Sequence, residues 1–371
     1  MDPAGNGAHP DGKRGSAEEE VLERIEAFRR RRPRLRDDFI NSAHGAGGKA
    51  SAALIDGVFL TAFGNDALAP LTDGALLTLP SGERLAFSTD SSVVNPLRFP
   101  GGSIGHLAIH GTVNDVAMMG AVPAWVSAAF ILEDGFPVDE LKAIVADMAE
   151  AAVNAGVKVV TGDTKVVSKG AADGLYIATA GMGVIPVGVE LDARGVRPGD
   201  RVLVSGTIGD HGVAVMLARG ELGIEADINS DTAPLGSMVQ DLLAAAPGTR
   251  WLRDPTRGGV ATVCNELARD AEVAIILNEA DLPVRPAVNG ACEILGIDPL
   301  YVANEGKLVA VVAPEDADAA LAALQAHPLG GNAALIGEVR DDPPGMVVIN
   351  TGFGGNRIVD MLAGDPLPRI C

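Results

Sequence analysis

A chain of 371 residues with a formal net charge of −20 is long enough for about two domains and too acidic to favour nucleic acid, whose phosphates it would repel. With 47% hydrophobic residues, 46 glycines and only 4% aromatics, its cores must be built from Ala, Val, Leu and Ile, which suits α/β layers better than an all-β sandwich. Three cysteines give no disulfide framework, no apolar run reaches the ~18 residues of a membrane span, and the N-terminus has no hydrophobic signal region, so a cytoplasmic protein without a membrane partner is expected.

Residues 1–37 read as an N-terminal extension, partly disordered, with one short helix suggested by Val21, Ile25 and Phe28. A first α/β unit is expected over 38–190. It opens on His44-Gly45-Ala46-Gly47-Gly48-Lys49, which fails as a P-loop because Ala50 stands where Ser or Thr is required. A strand over Leu85–Thr89 ends at Asp90, and ligands of α/β sheets gather outside the carboxyl ends of strands. Ser103 is a natural N-cap for a helix carrying Ile104, Leu107, Ala108 and Gly111 on one face, and its glycine-flanked start offers N–H groups to a phosphate. Asp115, near the end of that helix, is costly to bury unless paired or on a metal. A strand over Trp125–Leu132 follows, then a helix from Asp139 closed by Gly156. A short strand at 157–160 leads into the loop Thr161-Gly162-Asp163-Thr164-Lys165, and a strand at 174–184 completes the unit.

Arg197-Pro198-Gly199-Asp200 marks a turn near the start of a second α/β unit over 191–350. Strands are expected there at 202–205, 273–277, 334–339, 346–349, and at 301–312 with an interruption at Asn304-Glu305-Gly306-Lys307. Helices are expected at 210–219, 234–246, 286–295, 317–325, and from Asp254-Pro255-Thr256-Arg257-Gly258-Gly259 to 271. Cys264 and Cys292 fall in apolar helical patterns and read as core. Residues 351–371 read as a mobile tail whose glycine neck leads to Pro368-Arg369-Ile370-Cys371, a terminal thiol able to enter a pocket, be modified and leave.

Asp66, Asp90, Asp115, Asp163 and Asp254 stand at the edges of expected elements, and hard carboxylates so placed are what Mg²⁺ or Ca²⁺ sites draw on. No Cys/His pair has zinc spacing.

With these residues in place, the chain resembles the ATP-dependent superfamily of aminoimidazole ribonucleotide synthetase, selenophosphate synthetase and thiamine-monophosphate kinase. Within it the chain is similar to the HypE family of hydrogenase maturation proteins. The motifs that carry the likeness are His44–Lys49, Ser88–Ser91, Thr112–Val116, Thr161–Lys165, Asp254–Gly259, Ala303–Lys307, Gly352–Arg357 and the terminal Pro-Arg-Ile-Cys, spread from residue 38 to the end. The resemblance implies two tandem α/β domains. The N-terminal halves of a homodimer pair into a β-barrel, the C-terminal domain holds a mixed sheet with helices, and the tail is mobile. ATP and Mg²⁺ are the implied cofactors, with a HypF-type carbamoyltransferase and a HypC–HypD complex as partners. The implied reaction is ATP-dependent dehydration of a carbamoyl group on Cys371 to a thiocyanate, the source of cyanide for a hydrogenase iron.

In that scheme Lys165 and Glu305 act with Cys371 in catalysis, and Asp66, Asp90, Asp115 and Asp254 hold the metal. His44, Gly47, Gly48, Lys49, Ser103, Asn114, Asp163, Thr164, Thr256, Arg257 and Gly258 face the nucleotide. Asp163 is an alternative metal ligand, and Asn65-Asp66 departs from the paired acids expected at that point. Two other readings remain: a selenophosphate synthetase or thiamine-monophosphate kinase type, and a non-enzymatic dimeric scaffold with a docking tail. The lack of an N-terminal cysteine, the terminal cysteine and the acid series argue against them in turn.

Overall fold

The computed structural model describes residues 34–220, 226–352, 354–362, 364 and 369–371, so the helix expected from Val21 to Phe28 lies outside the described residues. The first unit begins with short helices α1 (Lys49–Leu54) and α2 (Leu60–Phe63) joined by a π-helical turn at Ile55–Phe59. Strands β1 (Ala75–Thr78) and β2 (Arg84–Ser92) follow, then a two-residue ribbon of β3 (Arg98–Phe99) and β4 (Gly102–Ser103). Helix α3 (Ile104–Met118), β5 (Val122–Glu133), helix α4 (Val138–Asn154), β6 (Lys158–Val167) and β7 (Leu175–Ile185) complete it. The five long strands form one sheet in the order β1-β2-β7-β5-β6. Along β7 every second residue from Leu175 to Ile185 is buried, the period-2 pattern of a strand with one covered face.

Helix α3 covers that face. Its buried residues run nearly all round it, from Ile104 to Met118, because it is also the bridge between the two units. Its first turns pack with Val126, Ile144 and Ile177, while Ala117 and Met118 enter a second core with Leu203, Leu235 and Leu242.

The second unit runs β8 (Arg201–Val204), α5 (Asp210–Ala218), α6 (Gly236–Ala245), β9 (Thr249–Arg253), α7 (Gly259–Asp270), β10 (Ala274–Asn278), α8 (Pro286–Leu295) and β11 (Val309–Val312). Helix α9 (Ala317–Ala326) and strands β12 (Ala334–Arg340), β13 (Met346–Asn350) and β14 (Asn356–Val359) close it. The sheet order is β14-β13-β10-β12-β8-β11-β9, mixed because β10 and β13 are parallel while the other pairs are antiparallel. Val309 to Val312 are all buried, since helices cover both faces of the central strands.

Three expectations change. The Thr161–Lys165 loop is strand: β6 stays in parallel register with β5 from Thr161↔Ser127 to Val167↔Glu133, and this pairing overrides the weak strand propensity of Gly-Asp. Part of the neck is also strand, because Asn356–Val359 adds to the edge of β13 and Val359 is fully buried against the core. The strand expected over 301–312 is confined to 309–312. The first sheet is open, with β1 and β6 at its edges. No helix among the described residues is long and apolar enough to cross a membrane.

Candidate active site

The stretch from Asn304 to Lys307 is irregular because its side chains bind neighbouring loops in place of a sheet. The fully buried Asn304 carboxamide donates to the carbonyls of Pro255 (2.9 Å) and Val302 (3.0 Å) and accepts from the Gly209 N–H (2.8 Å). At Gly306 a Cβ would lie 1.9 Å from the Asp231 carbonyl oxygen, so only glycine fits. The Glu305 N–H donates to Asp231 Oδ1 (3.0 Å), and the Lys307 ammonium stands 3.2 Å from Asp231 Oδ2. From α3, the Asn114 carboxamide donates to the carbonyls of Ala233 (3.0 Å) and Glu305 (3.2 Å) and accepts from the Leu235 N–H (2.8 Å).

Asp231 and Lys307 are 4% and 10% exposed at their side chains, so either alone would be a buried unpaired charge. Lys307→Met is expected to cost about 3–5 kcal/mol in urea unfolding, and adding Asp231→Asn should restore part of it.

These contacts fix the backbone of Glu305 and do not engage its carboxyl. The side chain is buried, and among the described residues Oε1 has no hydrogen-bond partner. Burial, then the charges of Asp90, Asp254 and Asp231, push its pKa well above the usual carboxylate range, with Arg257 opposing. A carboxylate so perturbed is a candidate proton acceptor.

Beside it three acids converge. One carboxylate oxygen each from Asp73, Asp115 and Asp254 lie within 4.8 Å of one another. Asp73 comes from the turn before β1, Asp115 from α3 and Asp254 from the end of β9, so the cluster joins both units. Ser88 Oγ lies 2.7 Å from Asp115 Oδ2, and Arg253 pairs with Asp73 at 2.9 Å and with Glu266 at 2.9 Å. One guanidinium does not balance this set. Burial raises the pKa of all three, Asp73 to about 6 and the other two well above the normal range. Neighbouring carboxylates add to the rise, while Arg253 lowers Asp73 and Asp254. Asp90, on β2, stands next to them: its charge acts on Asp115, Asp254 and Glu305, and a Cβ at Gly111 would meet its Oδ2 at 2.5 Å. A dense set of hard, under-neutralised oxygens fits a divalent cation such as Mg²⁺.

Asp66 is not among the three that converge; it is exposed in the loop after α2. Asp73 is the residue the sequence reading missed, and Asp73-Gly74 has the look of any turn until Arg253 and Ser88 are seen against it.

Cys371 faces this region. With Asp90, Ser91, Val93, Arg257, Arg369 and others it lines a cleft of about 230 Å³. Charge at Cys371 is the foremost cause raising the Arg257 pKa, with Asp90 and Glu305 adding to it against burial. Cys264 and Cys292 are buried in α7 and α8, and burial pushes them up to about 12 and about 11. The tip of the tail is therefore docked here, where the sequence suggested mobility.

The glycine loop grips the chain leading to that tip. Lys49 donates from its N–H to the Leu362 carbonyl (3.0 Å) and from Nζ to Asp360 (2.7 Å), Gly48 abuts Leu362, and Gly47 packs on the Arg257 backbone. His44 is buried, its Nδ1 accepting from the Asn41 N–H (3.1 Å) and its Nε2 lying 3.5 Å from Asp37. Arg257 donates to the Gly45 carbonyl (2.8 Å), Gly258 is the N-cap residue of α7, and the Thr256 carbonyl accepts from Gly259 (2.9 Å).

Two expected nucleotide residues have their polar groups committed elsewhere. Ser103 is fully buried, caps α3 at Gly105 and donates to Asp147 (2.6 Å), and Asn114 holds the Glu305 loop. Lys165, Thr164 and Asp163 are exposed on β6, where Lys165 donates to Asp163 (2.6 Å); that bond, and then the Thr164 N–H, hold the Asp163 pKa low. Among the described residues Lys165 and Glu305 form no ion pair.

The N-terminal domain model of AIR synthase related proteins matches residues 71–185, and the C-terminal domain model matches 197–350. The carbamoyl dehydratase HypE of Cupriavidus necator is 53% identical over 332 residues, covering 90% of this chain and 95% of that one. The chain belongs to the HypE family. The HypE of Escherichia coli K12 is 51% identical over 336 residues, covering 90% of this chain and 99% of its own. A solved HypE–HypF complex superposes with a TM-score of 0.79 at 50% identity, covering 84% of this chain and all of the HypE chain compared. A HypE structure in complex with ATP gives 0.75 at 47%, covering 88% and 98%. Thiamine monophosphate kinase from Aquifex aeolicus shares the fold at 19% identity, with a TM-score of 0.60 over 84% of this chain and 98% of its own.

Proposed function

We propose that the chain is an ATP-dependent carbamoyl dehydratase acting on its own last residue. The observation that carries this reading is Cys371 lining one cleft with Asp90 and Arg257, beside the buried Glu305 and the acid cluster. A HypE relative named carbamoyl dehydratase supports the reaction, and HypE structures solved with ATP and with HypF support the nucleotide and a HypF-type carbamoyl donor. The exposed edge strand β6, with Val159, Val160 and Val166 open to solvent, supports a homodimer whose paired sheets close the barrel. Lys165 would then reach the site from that edge. The product goes to a HypC–HypD acceptor.

The chemistry follows from the groups present. The amide oxygen of an S-carbamoyl cysteine is a poor leaving group, and in-line attack on the γ-phosphate of ATP turns it into a phosphate ester. ADP departs in that attack and one N–H proton is lost to solvent; transfer of the second N–H proton to Glu305, whose raised pKa suits a proton acceptor, then lets phosphate leave and forms the C≡N bond. Arg257 orients the anionic end of the tail. Asp73, Asp115 and Asp254, with Asp90 alongside, would hold Mg²⁺, which when bound neutralises phosphate charge.

Intact-mass analysis of the full chain with the carbamoyltransferase, carbamoyl phosphate and Mg-ATP tests this. A carbamoyl adduct on Cys371 should form and then lose the mass of one water, and Cys371→Ala should show neither change. An unmodified terminus, or an adduct that persists through ATP turnover, would sink the reading.

A further inference from the structure

The last three residues are held by more than proximity. The Val93 N–H donates to a terminal carboxylate oxygen of Cys371 (3.0 Å), the Asn95 N–H donates to the Arg369 carbonyl (3.3 Å), and Arg369 Nε donates to the Val93 carbonyl (3.1 Å). The tip thus pairs with the chain just beyond β2, the strand that carries Asp90. Arg219 ties the same two segments, donating to the carbonyls of Asn95 (2.9 Å) and Arg369 (2.8 Å), and Arg369 pairs with Asp173.

Two further contacts are buried. Ile370 is 3% exposed and belongs to the apolar cluster that includes Val94, Val213, Ile228 and Val302. His211, on α5 and fully buried, lies with Nε2 2.9 Å from the Ile370 carbonyl and Nδ1 2.8 Å from Ser230 Oγ. A carbonyl only accepts, so Nε2 carries the proton, and a neutral ring takes the Ser230 hydroxyl at Nδ1. The surroundings set that tautomer: Ser230 is anchored by its own N–H on the Pro100 carbonyl (2.8 Å), and Phe99 meets the imidazole edge-on at 5.5 Å. Asp231, which holds the Glu305 N–H, also acts electrostatically on the His211 ring, but His211 is not among the converging acids and the acid chemistry leaves it unused.

We propose that His211 and the pocket for Ile370 form a latch that reads the residue before the terminal cysteine and sets Cys371 against Asp90. His211 is a positioning residue: it acts through the Ile370 carbonyl, the one peptide group directly joined to Cys371. The latch uses an uncharged hydrogen bond and one aliphatic side chain, a grip of a few contacts that the tail can release and remake as it moves between a carbamoyl donor and the cleft. Its consequence for the reaction rests on the dehydratase reading above. The docking itself does not.

Carboxypeptidase Y, which must engage the same Ile370–Cys371 peptide bond, separates the two. The full chain, without nucleotide or partner, is digested and loss of Cys371 followed by intact mass. The latch predicts slow release from the unaltered chain and release about tenfold faster from His211→Leu and from Ile370→Ala, with His211→Gln and Ile370→Val nearer the unaltered rate. Ile370 lies on the tail, outside every helix and strand of the two units, so equal release from Ile370→Ala and from the unaltered chain overturns the proposal. In the ATP-dependent step the same two variants should lose dehydration rate while carbamoylation by the carbamoyltransferase is undiminished. Faster release with an unchanged dehydration rate overturns the positioning role. Should the unaltered chain fail to dehydrate at all, the function falls and the digestion still decides the latch.

Discussion

Glu305→Gln is expected to slow the dehydration of S-carbamoyl Cys371 by about 10²–10⁴-fold, the usual worth of a positioned general base, while making the chain more stable. The two effects share one cause. Glu305 is held by its backbone to Asp231 and Asn114, with Oε1 buried and unpartnered among the described residues and three acids acting on it. An amide of the same shape removes the charge and keeps the packing. The direction with pH follows from the raised pKa. A carboxyl whose folded pKa exceeds its unfolded value contributes fully below the unfolded pKa and loses that contribution as pH rises through the folded one. The stability gap between Glu305→Gln and the unaltered chain should therefore be small near pH 4 and widen above it, by up to about 1.4 kcal/mol per pH unit between the two pKa values. Urea unfolding in EDTA, paired with single-turnover mass kinetics, checks both halves. Loss of activity with a stability gap that is flat in pH would mean that the acid is not strained in the fold.

Much of this site was legible because its residues stand at element ends. Asp90 near the end of an alternating strand, the glycines before α7, and Asn-Glu-Gly-Lys breaking an apolar run are local signals, although β2 continues past Asp90 to Ser92 in register with β7, so only the last two lie where the chain leaves regular structure. What was not legible depends on partners far away in sequence. Asp73 becomes part of a metal-type cluster only through Arg253 and Asp254, which the sheet order brings beside it. The Thr161–Lys165 segment reads as a loop from composition and becomes strand because β5 offers it a parallel edge. Asn114 reads as a ligand in sequence, and its role as a tie between units is seen only in the fold, where its two hydrogen-bonding ends meet residues 233 to 235 and 305. The docking of Ile370 had no local signal: it needs Val93 and Asn95 from one unit and His211 from the other.

Removing divalent cation should destabilise the nucleotide-free chain most at alkaline pH, and the size of that effect locates the metal. Asp73, Asp115 and Asp254 all have raised pKa values, Asp73 near 6, so their protonated forms are the ones the apo fold tolerates. By the same sign rule their contribution is present at low pH and lost as pH rises through about 6 and beyond. Mg²⁺ bound at this cluster would take the place of those protons, so its effect should grow over the same interval. At a hundred times its dissociation constant it should add about 2.7 kcal/mol at pH 8, and distinctly less at pH 5.5, where protons compete. Thermal unfolding against Mg²⁺ at the two pH values reads this directly. Asp254→Asn and Asp73→Asn should raise the apo stability at pH 8, by relieving repulsion among buried carboxylates, and abolish the response to Mg²⁺. Asp66→Asn should leave both unchanged, because Asp66 is exposed and apart from the converging oxygens. That contrast decides between the two aspartates for the metal site: a Mg²⁺ response that survives Asp73→Asn and disappears with Asp66→Asn would move the cation away from the cluster and toward the loop after α2.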